Sequence, residues 1–294
     1  VLQVGRDGVE LAVKAWTIDS KLYAVPSYLQ NSAMVYNMDV LKAAGITSLP
    51  TSMQQLADDA KKVHETTGKA GIVLLENLFH LTQYVLASGG GWNYGRTIDS
   101  AQNEQALQSL VDLFASGAAQ SAEALGATWD GEAIAGNKAA MSDGGPWYIG
   151  FMKSTAPSVT YQLQPIPSTT DGAPFVTTYG GGFSVNASAK DQSTAAKVVA
   201  MLTDETAEKA IISDGTGFVP AMSQYLDQYR TSTSQYAAFT DAVLGDGRTL
   251  DYPLKTTEFG NALVTGFQQL VAKPSGSGVK DLLTSLQSQY GQAG

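Results

Sequence analysis

Apolar and polar positions along this chain follow two periods, and the switches between them mark the expected elements. Residues 21–25 alternate with period two after an Asp19-Ser20 turn, and Pro26 is expected to end that strand. A further strand is expected at Ala33-Met34-Val35-Tyr36-Asn37, then a short helix over 38–44 stopped by Gly45. Pro50-Thr51-Ser52-Met53-Gln54 starts a helix, with Thr51 and Gln54 as a capping box. Met53, Leu56, Ala57, Ala60 and Val63 share one face of it, and His64 falls in its solvated end beside Lys61, Lys62 and Glu65. Residues 71–75 read as a buried strand and 79–87 as a helix closed by Gly89-Gly90-Gly91. Leu107, Leu110, Val111 and Phe114 make 104–116 an amphipathic helix, and 128–136 reads as another.

Small and apolar residues from Ala139 to Met141 predict a short buried strand, followed by the Gly144-Gly145-Pro146 turn and by Trp147 and Tyr148. An indole held behind such a turn is a stacking platform for a flat, weakly polar ligand; a tryptophan closing a core layer fits the same pattern. Pro165-Ile166-Pro167 and 169–172 read as loop. Residues 175–179 and 183–185 are strand-like, and the three glycines over 180–182 between them suggest a bend or a backbone that something must approach closely. A long helix is expected over 191–212, a break at 215–220, and helices at 222–229, 235–244, 259–271 and 279–290. Strands mixed with helices throughout imply α/β layers, without a visible repeat.

Composition narrows the function. Asp and Glu number 27 against 18 Lys and Arg, a net charge of −9, which argues against nucleic acid and anionic lipid surfaces as partners. There is no cysteine, which removes disulfides and thiolate chemistry, and the two histidines, His64 and His80, are far apart in sequence. No metal and no cofactor is expected. The apolar share of 44% supports a real core, but no run approaches a membrane span. No G-x-S-x-G elbow, H-E-x-x-H or P-loop pattern occurs. Glu76, Asp130, Glu132 and Asp143 are the acidic residues from which a glycosidase pair would be drawn.

Several stretches in order resemble one family. They are Ser20-Lys21-Leu22-Tyr23-Ala24-Val25-Pro26, Met34-Val35-Tyr36-Asn37 with Val40-Leu41, and Ala44-Gly45 leading to Leu49-Pro50-Thr51. Ala87-Ser88-Gly89-Gly90-Gly91, Ala140-Met141 with Gly145-Pro146-Trp147, and Pro165-Ile166-Pro167 before Gly180-Gly181-Gly182-Phe183-Ser184-Val185 continue the series. The set resembles extracellular solute-binding proteins of family 1, the carbohydrate-binding subunits of ABC importers, of which maltose-binding protein is a member. Met53 stands where the family often has tryptophan.

The resemblance implies a two-lobed α/β fold of the type II periplasmic-binding kind. The first lobe would hold 1–28 and 180–218, the second 32–176 and 222–294, with hinge crossings near 29–31, 177–179 and 217–220. It also implies that a signal peptide or lipid-anchoring cysteine and an opening β-α-β part lie outside this sequence, so that the first lobe is incomplete here. The implied function is non-catalytic binding of an oligosaccharide between the lobes and its delivery to the permease subunits of an ABC importer. The protein would be a monomer in an extracytoplasmic location, periplasmic or on the cell surface as a lipoprotein. The implied ligand-binding residues are Trp147, Gln30, Asn31, Glu76, Phe79, His80, Tyr179, Gly180, Gly181 and Phe259. A glycoside hydrolase using acidic residues and a structural or adhesion module are the alternatives.

Overall fold

The computed structural model describes residues 10–168, 177–213, 217–233 and 248–292. In chain order the elements are α1 (Glu10–Ala15), β1 (Thr17–Ile18), β2 (Lys21–Leu22), β3 (Val25–Asn31), β4 (Ala33–Asn37), α2 (Met38–Ala43), α3 (Met53–Thr67) and β5 (Ala70–Leu74). They continue with α4 (Leu78–Ala87), α5 (Ala101–Ala115), β6 (Ala119–Ser121), α6 (Asp130–Ala135), β7 (Ala139–Gly144), α7 (Trp147–Thr155) and β8 (Tyr161–Gln164). The last are β9 (Thr178–Phe183), α8 (Gln192–Leu202), α9 (Glu205–Ser213), β10 (Val219–Pro220), α10 (Leu226–Ser232), α11 (Thr256–Ala272) and α12 (Gly278–Tyr290).

The chain forms two compact units. Unit one gathers the described residues within Val1–Ser32, Gly145–Phe151 and Val176–Thr249; unit two gathers those within Ala33–Gly144, Met152–Phe175 and Leu250–Gly294. Unit two is built on a five-stranded sheet of order β6-β5-β7-β4-β8. Strands β5, β6 and β7 run parallel, and β4 joins antiparallel to both β7 and β8. Both β4 and β5 are buried along their whole length, so they read as continuous apolar runs rather than alternating ones. Met34, Tyr36, Ile72, Leu74 and Met141 from the sheet pack with Leu56, Leu107, Phe259 and Phe267 from the helices into one core. At Gly71 the α3 backbone passes so close that a Cβ would overlap the Ala60 carbonyl, which is why β5 needs glycine there.

Unit one carries a three-stranded antiparallel sheet of order β10-β3-β9, with the short β1-β2 hairpin beside it in sequence. Its core joins Ala12, Val25, Leu29, Val199, Ile212, Val219, Met222, Tyr225 and Tyr229.

Several expected elements take another form. Strand β3 runs through Pro26 instead of stopping there; a register shift between Pro26 and Tyr28 accommodates a residue that has no N–H to give to the ladder. The capping box of α3 lies one residue later, with Ser52 Oγ accepting from Gln55 N and Gln55 Oε1 accepting from Thr51 N. Of the two readings of Gly180, Gly181 and Gly182, the close approach holds and the bend does not: they lie inside β9, paired with β3. The helix expected over 191–212 divides in two, because Asp204 Oδ1 accepts from Thr206 N and Ala207 N and starts a second helix. Trp147 opens a helix rather than extending a turn. Strands β6, β8 and β10 lack a period-two signature long enough to read. The helix expected over 235–244, the loop over 169–172, and residues 175 and 176 of an expected strand lie outside the described residues.

The division into units also differs from the expected lobes. Gly145–Phe151 groups with unit one, because a Cβ on Gly217 would lie only 2.6 Å from Ile149 and 3.0 Å from Pro146. The described residues from 222 to 233 join it too, since Met222, Tyr225 and Tyr229 belong to its core and the Tyr229 hydroxyl donates to Gly217 O at 2.7 Å.

Two outcomes follow for stability. Gly71→Ala should lower it by about 1–3 kcal/mol through overpacking against backbone, measured by urea unfolding. Glu208 in α9 is 1% exposed, and burial pushes its carboxyl from 4.5 up to about 7, against the opposing peptide groups of Met222 and Ala221. A raised carboxyl contributes stability below 4.5 that is lost as pH climbs through about 7. Glu208→Gln should therefore flatten the pH dependence in that window and raise stability at pH 8 by about 1–3 kcal/mol, read from thermal unfolding.

Candidate functional site

In open α/β sheets, ligands meet the carboxyl ends of parallel strands, where side chains from several loops converge. In unit two these are the ends of β5 and β7. After Leu74 the chain passes through half-buried Leu75, Glu76 and Asn77, and Asn77 Oδ1 caps α4 by accepting from His80 N at 3.0 Å. This places Glu76 and Phe79 half-exposed at the start of α4. Glu76 Oε2 accepts from Gln268 Nε2 of α11 at 2.9 Å.

Behind that turn lies a buried polar cluster. His80 Nδ1 sits 2.7 Å from Asp143 Oδ2, with both residues almost excluded from solvent. Ser142 Oγ donates to Asp130 Oδ2 at 2.7 Å, and Asp130 is itself buried at the first residue of α6. Burial by itself pulls the His80 imidazole down, but the Asp143 carboxylate and its hydrogen bond, with Asp130 behind, outweigh it and hold the imidazole above its ordinary 6.5. Burial likewise raises Asp143, and His80 partly offsets this. His80 thus lies inside unit two rather than on its surface.

In unit one the register sorts the expected residues by period two. Gln30 lies opposite Tyr179, and Tyr28 opposite Gly181, on one half-exposed face of the β3-β9 pair. Leu29, Asn31 and Thr178 lie on the other, which is buried. Asn31 is therefore a buried residue opposite Thr178. Gly180 and Gly181 serve the strand pairing: a Cβ on Gly180 would overlap the Tyr28 carbonyl, and one on Gly181 would lie 2.6 Å from the Tyr28 ring. That ring stacks on Phe218, with centroids 5.0 Å apart and planes 15° off parallel. Tyr28 and Phe218 are half-exposed aromatics that the expected set omits. Reading β3 across Pro26 would have put Tyr28 in phase with Gln30.

Trp147 is half-buried, and its indole folds back over Gly145, where a Cβ would overlap the ring. Phe259 is a correction: it is buried in the core of unit two, edge-on to Trp92 at 5.1 Å and to Tyr290 at 5.9 Å. Its helical phase faces the core together with Leu263 and Phe267. The acidic residues divide likewise. Asp130 and Asp143 are buried and bonded, Glu132 takes two bonds from Thr128, and Glu76 is held by Gln268.

The profile of bacterial extracellular solute-binding proteins matches residues 3–209 of the 294. The chain belongs to that family. A diacetylchitobiose binding protein, DasA, of Streptomyces coelicolor is 33% identical over 89 residues, which are 30% of this chain and 21% of that protein. The match thus spans about a fifth of that curated relative's length. Among solved structures, the GacH receptor of Streptomyces glaucescens superposes with a TM-score of 0.81 at 20% identity, over 97% of this chain and 76% of that one. An ABC substrate-binding protein of Listeria monocytogenes gives 0.83 at 17% identity, over 97% and 75%. At these identities the likeness is one of fold, and this solute-binding protein shares their α/β architecture. No described helix is long and apolar enough to cross a membrane.

Phe259→Ala should cost about 3–5 kcal/mol in urea unfolding, as expected for a buried aromatic truncated in a packed core. A residue lining an open ligand surface would cost far less.

Proposed function

We propose that this solute-binding protein captures an oligosaccharide between its two lobes and delivers it, uncleaved, to the permease subunits of an ABC importer. The observation that carries this reading is the set of half-exposed aromatic rings beside polar side chains at strand ends. Phe79 neighbours Glu76 in unit two, and Tyr28, Phe218, Gln30 and Tyr179 share a surface in unit one, which also holds the half-buried Trp147. Rings stack on the apolar faces of sugars, and polar side chains pair with hydroxyls. A hydroxyl buried without a partner costs about 1–3 kcal/mol, so the polar set decides which sugar is accepted.

The names of related proteins support the ligand class. One binds diacetylchitobiose, another was solved with acarbose and a third with cycloalternan. The segments 29–31 and 177–179, each beside a boundary of unit one, would serve as hinges; 217–220 lies within unit one and would not. Asn31 pairs with Thr178 and Leu29 with Gly180, so the two segments run side by side and would turn together. Closure on the sugar would shift the lobe equilibrium, and the permease would read the closed form. The protein would act as an extracytoplasmic monomer, either periplasmic or held at the cell surface by a lipid anchor. No step calls for catalysis: each carboxylate considered for a glycosidase pair already has a partner within unit two.

A thermal-shift series with diacetylchitobiose, maltose, acarbose and cycloalternan tests this. At a hundredfold excess over Kd a matching sugar adds about 2.7 kcal/mol, a rise of roughly 5 °C or more. Trp147→Ala should weaken that sugar at least tenfold, about 1.4 kcal/mol. Shorter sugars appearing in the incubation would overturn the non-catalytic reading.

A further inference from the structure

The pair under the α4 turn, His80 and Asp143, is buried. His80 is fixed at both ends: its N–H donates to the Asn77 cap, and its ring meets Asp143 at 2.7 Å. Asp143 belongs to β7 and His80 to α4, so the bond ties the end of one parallel strand to the helix that follows the other. The Phe79 ring stands edge-on to the His80 ring, with centroids 5.3 Å apart and planes 88° apart. Phe79 therefore rests against an imidazole whose orientation is set by a carboxylate.

We propose that His80 and Asp143 act as a positioning pair, holding Phe79 and the Glu76–Phe79 turn ready for the sugar and making sugar affinity depend on the proton the pair shares. This rests on the oligosaccharide-binding reading of the same surface.

The groups around the pair give the direction of the effect. Asp143 faces His80 from β7, and Asp130 faces it from the start of α6. Tyr84, one turn along α4, lies under the influence of the same two carboxylates and of Tyr36 from β4; burial first, and then those charges, push its hydroxyl far above the ordinary range. Tyr84 therefore stays neutral throughout. Two buried carboxylates thus face one imidazole, and among the described residues no other cation acts on the pair. With the imidazole raised above 6.5 by the two carboxylates, the pair holds its proton to a higher pH than a free imidazole would. That stabilisation is full below 6.5 and is lost as pH rises through the folded value of His80. Once the proton leaves, the ring keeps one N–H to give to the Asp143 carboxylate, but the attraction between the two opposite charges is gone. Phe79 then rests on a more weakly held ring. Affinity should fall on the alkaline side.

The test uses the intact chain and two readouts. The first is an NMR titration of the imidazoles: the chain has only two histidines, and His80→Gln identifies the signal. His80 should titrate above 6.5 and the Phe79 ring signals should follow the same curve; Asp143→Asn should move the His80 titration down. The second is the Kd for diacetylchitobiose from pH 5.5 to 9. It should weaken at least threefold through the His80 titration, and His80→Gln should flatten the profile. The double variant His80→Gln with Asp143→Asn, a neutral hydrogen-bonding pair, should recover affinity at pH 6 while remaining flat.

A wild-type affinity that ignores the His80 titration, or a pH profile unchanged in His80→Gln, overturns the proposal. Phe79 signals that do not follow His80 overturn it independently of any sugar and of whether the variants fold. If no sugar in the panel binds the wild type while Phe79 tracks His80, the oligosaccharide reading fails and the positioning pair stands.

Discussion

Unit two depends on the rule that a charge taken out of water must find a partner. Asp143 and Asp130 lie at the carboxyl end of β7 and the start of α6, where solvent reaches neither. An unpaired carboxylate there would cost several kcal/mol. His80 and Ser142 meet that demand, and in doing so they fix where α4 and α6 begin relative to the sheet. The turn bearing Glu76 and Phe79 inherits its position from this bonding. The same site that keeps the fold satisfied therefore sets the geometry of the surface above it.

Unit one reaches an ordered surface by another route. All three of its strands carry residues poorly suited to a ladder, and β3 and β9 are held because each gives way where the other needs room. Pro26 sits at a register shift, and the glycines of β9 let the backbone and ring of Tyr28 come close. The period of two then does the sorting. Leu29 and Asn31 turn inward, while Tyr28, Gln30 and Tyr179 remain at the face on which Phe218 stacks. Aromatic and polar groups are brought side by side without a loop having to hold them.

Much of this was legible in the order of residues. The helices over α3, α4, α5, α11 and α12 follow from apolar spacing, and β4, β5 and β7 from short buried runs with strong stops. The series of stretches around Gly145-Pro146-Trp147 and Gly180-Gly181-Gly182 led to the family that the comparison establishes. Local pattern failed where a residue's role is set by something distant. The resemblance put Phe259 at a helix start facing the ligand, yet Trp92 and Tyr290 enclose it. Gly180 and Gly181 read as a bend or a close approach, because the Tyr28 backbone and ring that decide between the two lie about 150 residues earlier.

The sequence by itself determined the alternation of strands and helices, the absence of thiol chemistry, and the family. Those depend on periodicity, composition and ordered local motifs, which a linear string carries. Tertiary structure alone decided that His80 faces Asp143 from 63 residues away, that Gly145–Phe151 packs against Gly217, and which of Gln30 and Asn31 turns inward. Each of these is a choice of partner between segments far apart in the chain. Only the register of the sheets and the exclusion of water make that choice.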